Sequence, residues 1–541
     1  MNGEMTARSR SLVLAAMIFA VSMTFIDQTI VSIAAPHIQR ELGLTNTGMQ
    51  WAINAYLLSL AALFAFGGRL ADTMGHRRMV ILGVVIFAAS SAACGLTPTG
   101  SVAEAWIVAF RAVQGAGGAI MFPAALAAVV QTFPLQQRGR ALALFFGIAG
   151  GLTAIGPVLG GFLTEWTWRA IFWVNIPVAI VAVALTALSK TANVTRPAPI
   201  DYRGLVLVAG GVGLSVFGFQ QSTVWGWHNP GIGLSIAAGV VLLIIFGYTE
   251  VSTRSPLIQL SIFRIRAFLV ENVVLGVAML VFIPVFFFSS EFAQISLGES
   301  AQQTGVILLY FFVGFAVAAQ VGGRILDRRG AKPTVTFGCG LAAVGFYLWA
   351  GTLTQLKLSS EVDYIIMAGA GMGLMLGPAS TDAVNRASRF SYGEATGITQ
   401  TVRNYAASLG LAILGTVLVS QMRSRVVTSL VAQGLSKAKA SVEASRFSQS
   451  QSGSGSTASI PHFLRLDFAH ATSTVFYAMA GIMAVAAAIA LLGLQRGLQQ
   501  EPAQAVGAST SGQPVSAVGP ATSAVGPPAP GRGWRSYRRP G

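Results

Sequence analysis

Two short polar stretches, each at the end of a long apolar run, are near copies of one another. The first, Gly68–Arg78, reads GRLADTMGHRR, and the second, Gly323–Lys332, reads GRILDRRGAK. Each has Gly-Arg, then an Asp (Asp72, Asp327), then a Gly (Gly75, Gly330), and ends on basic residues that include Arg77 and Arg78 in the first copy. Both lie between two apolar segments long enough to be membrane helices. A repeat of this kind predicts a chain built from two related helical halves, and it constrains fold and orientation together.

Composition fits that reading. A chain of 541 residues with 53% apolar and only 10% charged residues is not that of a water-soluble globule. A formal net charge of +16 would suggest nucleic acid in a soluble protein. Here the Arg and Lys fall in short loops between apolar segments, which is the positive-inside signature of a membrane protein. No basic stripe interleaved with aromatics offers a nucleic-acid face. Cys94 and Cys339 fit no metal-ligand spacing and the histidines do not cluster, so no metal or cofactor is expected. Arg far outnumbers Lys and Ala is abundant, as in GC-rich bacterial genomes.

A spanning helix needs roughly 20 mostly apolar residues. Fourteen stretches qualify: 11–35, 49–70, 79–97, 102–126, 140–163, 170–189, 204–222, 231–250, 267–289, 302–322, 333–353, 362–382, 397–420 and 472–494. The first, preceded by Arg8 and Arg10, is read as a retained helix because no convincing cleavage site follows it. The loops after the even-numbered helices carry the basic residues, among them Arg138, Arg140, Lys190, Arg196, Arg254, Arg386 and Arg389, which predicts both termini on the cytoplasmic side.

The two loops are 255 residues apart (323 − 68), and they follow helices two and ten. Six-helix halves made of helices 1–6 and 9–14 bring them into register. The expected organisation is therefore an all-α polytopic membrane protein with four parts. These are an N-terminal half (1–190), two inserted helices (191–266), a C-terminal half (267–497) with a long outer loop at 421–470, and a disordered tail (498–541). Within that outer loop, 449–459 reads as a flexible linker, and 424–447 as either a surface helix or a solvated loop.

Charge inside hydrocarbon costs a few kcal/mol at a helix centre, so each instance needs a reason. Asp27 lies deep in the first helix, and Arg111 shares a face of the fourth with Gln114. A buried carboxylate can take a proton, and a nearby guanidinium opposes this, so the pair could act as a switch or could simply brace helices. Glu271, followed by Asn272, could bind a cation or a proton, or lie at the interface. Glu291 and Asp382 are expected at the interface, and Arg403, with Gln400 and Asn404, as a brace. The fifth helix carries Gly147, Gly150 and Gly151, then Gly156, Pro157, Gly160 and Gly161. This is a small-residue face with a bend, suited to a sliding contact.

Together these features resemble the fourteen-helix drug:proton antiporter branch of the major facilitator superfamily, over roughly residues 11–495. Gly68–Arg78 is similar to the family's loop motif, although Thr73 and His76 stand where basic residues are usual. Arg111–Gly118 is similar to the helix-four motif whose Arg is implicated in proton coupling, and Asp27–Val31 to the first-helix motif of the branch. Gly156–Gly161 resembles the antiporter motif, with Leu152 in place of a further glycine.

The resemblance implies a multi-pass transporter of the bacterial cytoplasmic membrane, working as a monomer by alternating access and driven by protons without a cofactor. Its expected role is efflux of small amphipathic drugs or antibiotics. The alternative is dedicated export of an endogenous metabolite or lipid, and a membrane enzyme or receptor is a remote third. Asp27 and Arg111 would couple protons. Asp72 would hold the cytoplasmic side closed through contacts between halves, and Asp327 would act similarly within the second half. Asn54, Tyr56, Gln114, Met121, Phe122 and Glu271 would line the substrate cavity.

Overall fold

Hydrocarbon offers no partner for a free amide, so a lipid-exposed chain must satisfy its backbone within helices or a closed barrel. The computed structural model describes residues 7–133, 155–189, 201–253, 256–387, 392–449 and 460–497, with isolated positions between 137 and 153 and at 199. Among these, 13 helices are long and apolar enough to cross a membrane. The predicted fifth span is described only as α5, Ile155–Trp166. The basic residues at 138, 140, 190, 196, 254 and 389, the glycines at 147, 150 and 151, most of the 449–459 linker and the tail from 498 lie outside the described residues.

The first half runs through α1 (Ala7–Leu42), α2 (Asn46–Met74), α3 (His76–Gly95), α4 (Ala103–Thr132), α5 and α6 (Ala170–Leu188). The inserted pair is α7 (Tyr202–Trp225) and α8 (Pro230–Ser252). The second half comprises α9 (Arg266–Phe292), α10 (Ala301–Arg329), α11 (Ala331–Thr352), α12 (Val362–Arg386), α13 (Tyr392–Ala432), the short α14 (Lys437–Gln449) and α15 (His462–Gly493).

Two spans extend into the predicted outer loop. α13 continues to Ala432 and α15 begins at His462, so much of the stretch read as an outer loop at 421–470 is helical. The reason lies in packing: Val426 and Leu430 on α13, and Leu464 and Phe468 on α15, are buried beyond the apolar windows that defined the spans.

The halves repeat one pattern, with α4 packed on α2 and α3, and α12 packed on α10 and α11. The repeated loops repeat a conformation too. Gly75 has φ 98° and Gly330 φ 82°, a region open to glycine and strained for other residues, so each loop turns sharply into the next helix. Arg77 then donates from Nε to the carbonyl of Thr186 at 3.2 Å, and from Nη2 to that of Ala187, at the free end of α6. In the second half Gly330 abuts the backbone of Gly497, just beyond α15. Each loop therefore grips the end of its own half's last helix.

At the opposite end the halves touch. Cβ atoms at Gly156 and Gly160 would collide with Thr29 and Ile30 of α1, and one at Gly161 would lie 2.6 Å from the carbonyl oxygen of Ala301 on α10. Gly305 of α10 answers by accommodating the Pro157 carbonyl. Gln294 donates to the Ile33 carbonyl at 2.9 Å, and the amide of Gln302 to Glu165 at 3.3 Å. This α5 face clamps α1 on one side and α10 on the other, at the end away from the Gly75 loop.

The clamp makes a prediction. Gly161→Val forces backbone apart from backbone, an overpacking cost of about 1–3 kcal/mol. Cysteines replacing Glu165 and Gln302 should cross-link readily in the parent and several-fold more slowly in Gly161→Val. Equal rates would show that Gly161 does not set this contact.

Candidate functional site

A charge cluster with no solvent access joins α1, α2 and α4. Asp27 and Arg111 are each 1% exposed. Arg111 Nη1 donates to Asp27 Oδ2 at 2.5 Å and to Gln114 Oε1 at 2.8 Å, while Gln114 Nε2 donates to Asp27 Oδ1 at 2.8 Å. Arg111 Nε donates to the Ala52 carbonyl of α2 at 3.1 Å. The guanidinium carbon sits 4.4 Å from the Tyr56 ring centroid, and the Tyr56 hydroxyl donates to the Thr24 carbonyl at 3.2 Å, which holds the ring in place. Spacing on α4 makes this possible, because residues three apart share a face.

The arrangement is an opposed pair in which both carboxylate oxygens and several guanidinium protons are satisfied, the condition under which buried charge is tolerated. Arg111 is also held independently of Asp27, by Gln114, the Ala52 carbonyl and the Tyr56 face.

Other predicted residues take different places. Tyr56 and Gln114 belong to the charge cluster. Phe122 packs among Phe25, Phe64 and Phe145. Met121 lies against Gly83 of α3, so its side chain serves helix packing in this structure. Asn54 donates to Gln220 of α7 at 2.7 Å and accepts from Ser408 of α13 at 2.9 Å, a junction of both halves with the insertion. Glu271 sits on α9 beside Asp382 of α12. Glu291 and Asp382, expected at the interface, are 0% and 2% exposed, because neighbouring helices cover the ends on which they sit.

Asp72 stands 3.9 Å from His76 on its own half, His76 is 2.7 Å from Gln131, and Asp327 is exposed. In this conformation the contacts described for the first loop stay within its half and do not bridge to the second, because Arg77 turns toward the end of α6. Gln220 and Ser408 are site residues the sequence reading does not single out; Ser408 is an isolated polar side chain in an apolar stretch, and Gln220 opens the polar run Gln220–Thr223 near the end of α7.

The chain matches the Major Facilitator Superfamily over residues 17–411, and it belongs to that family. It is 32% identical over 414 residues to a tetracenomycin C resistance and export protein of Streptomyces glaucescens, covering 76% of each chain. It is 31% identical over 406 residues to a puromycin resistance protein of Streptomyces alboniger, covering 73% of this chain and 79% of the relative. A multidrug transporter protein of Bacillus subtilis (strain 168) is 29% identical over 448 residues, covering 80% and 79%. Among solved structures, a bacterial homologue of the lysosomal transporter Spinster, inward-facing and unoccupied, superposes with a TM-score of 0.58 at 16% identity, covering 90% of this chain and 98% of that one, a likeness of fold.

Removing the carboxylate tests the cluster. Asp27→Asn leaves Arg111 buried without its counter-charge, and loss of one partner of such a pair costs about 3–5 kcal/mol. Arg111→Lys keeps charge but loses the planar fork that reaches Asp27, Gln114 and Ala52 at once. In liposomes both variants should lose substrate flux driven by a pH gradient, with Asp27→Asn retaining downhill exchange. Gradient-driven flux by Asp27→Asn at the wild-type rate would remove Asp27 from the mechanism.

Proposed function

We propose that this protein exports small amphipathic organic compounds, drugs or antibiotics among them, across the bacterial cytoplasmic membrane in exchange for protons. The observation that carries the reading is the Asp27–Arg111–Gln114 cluster, a buried carboxylate of α1 held by a guanidinium and an amide of α4. Alternating access is supported by a glycine face that joins the halves at one end, with the described contacts of the first loop kept within its own half at the other. The relatives named for resistance, export and multidrug transport support the substrate class. We place both termini in the cytoplasm on the loop charge asymmetry, and we read the working unit as a monomer.

A second reading, dedicated export of one compound, is favoured by relatives named for single antibiotics: tetracenomycin C, puromycin and cephamycin. Overexpression in a susceptible host separates the two. Raised tolerance to several chemically unrelated compounds, abolished by Asp27→Asn, is expected of the first reading, and protection confined to one scaffold is the signature of the second. Unchanged tolerance and accumulation for a broad panel would count against drug efflux.

Orientation is tested by labelling. Arg78→Cys and Arg329→Cys, at exposed positions beside the two loops, should react with an impermeant maleimide only after permeabilisation, and Ser436→Cys, between α13 and α14, in intact cells. The reverse pattern would invert the topology.

A further inference from the structure

The second half holds a buried charge cluster of its own, built differently from the first. Glu271 on α9 is 1% exposed, and neither of its carboxyl oxygens finds a hydrogen-bond donor. Its side-chain hydrogen-bond neighbour is the carboxyl of Asp382 on α12. Asp382 in turn takes Arg386 Nε on Oδ2 at 2.6 Å, one helical turn along. Arg386 extends to Gln495 Oε1 at 3.0 Å and to the Gly497 carbonyl at 3.4 Å, and its side chain is 14% exposed. A chain of polar groups therefore runs from the buried acids to the surface.

An ionised carboxylate is an acceptor only. Two of them in contact offer each other no donor and repel, and like charges so placed do not both ionise. A single proton resolves this by making one carboxyl a donor to the other. On α11 the Cys339 thiol feels Glu271, and on α10, which packs along α12, Arg324, Asp327, Arg328 and Arg329 are exposed. On α13 Arg403 donates to Gln400 of its own helix, the last turns of α15 through Gly493 carry no charge, and Arg264 and Arg266 before and at the start of α9 are exposed.

We propose that Glu271 and Asp382 hold one proton between them, forming a second proton-binding site that lies in the C-terminal half and is reached from the Arg386 end. With Asp27 in the first half, the protein then carries one protonatable site per half. The use of this proton in transport rests on the antiport reading above; its presence does not.

Infrared spectroscopy of the full-length protein in lipid decides the matter. The wild type should show a protonated-carboxyl stretch near neutral pH that shifts in heavy water and vanishes as pH is raised. Glu271→Gln should abolish that component, and so should Asp382→Asn, whose amide can donate to Glu271. Asp27→Asn should retain it. Persistence of the same component in both Glu271→Gln and Asp382→Asn would overturn the shared proton. Flux in liposomes provides a separate arm, with gradient-driven export in Glu271→Gln expected to fall at least tenfold. If the wild type itself shows no gradient-driven flux, the antiport reading fails and the infrared result still decides the acid pair.

Discussion

Close approach of helix backbones is the constraint on which this structure depends. Lipid tails are as apolar as leucine, so helices gain little by hiding apolar surface from one another, and association relies on packing and on polar contacts. Glycines therefore stand where helices cross. Gly67 of α2 meets the Ala119 carbonyl of α4, and the equivalent contact in the second half is Gly322 of α10 against the Leu374 carbonyl of α12. The same device joins the halves at Gly161 and Gly305. A side chain at any of these points would separate the elements that position every buried polar group.

Within that frame each half solves the problem of intramembrane charge in its own way. In the first, carboxylate meets guanidinium directly across α1 and α4, with Gln114 and the Tyr56 face completing the set. In the second, the guanidinium of Arg386 lies at the helix end, and Glu271, deeper in the bundle, sits beside a second acid, Asp382. The repeat-related helices α4 and α12 both carry the decisive residues, but at different depths. Two related halves thus hold their buried charges by different means.

The inserted pair is more than a spacer. α7 lies against both α2 and α13 and bonds to each: Gln220 with Asn54 and the Thr47 carbonyl, Ser215 with Tyr405, and Thr416 with the Phe219 carbonyl. Asn54 in addition accepts from Ser408, so one side chain ties together both halves and the insertion. This polar seam holds α2 and α13 side by side, while the glycine face of α5 and the α1–α9 packing provide further contacts between halves.

The number and placement of the spans were largely legible in the chain, because a bilayer imposes length and polarity on every segment it surrounds. The repeated loops announced the two halves, and spacing on α4 put Arg111 and Gln114 on one face. The sequence leaves 424–447 open between a surface helix and a solvated loop; the continuation of α13 to Ala432 was not legible, because those residues are too polar to signal a membrane span and their helix rests on contacts with distant partners. Nor could sequence tell that Asn54 joins three elements, that Met121 packs against α3, or that Asp382 lies buried against Glu271. Local pattern reports the face and depth of a residue along its own helix. Which group on another helix meets it depends on crossing positions that only the packed bundle defines, and for a buried charge that partner decides whether it is a brace, a switch or a proton site.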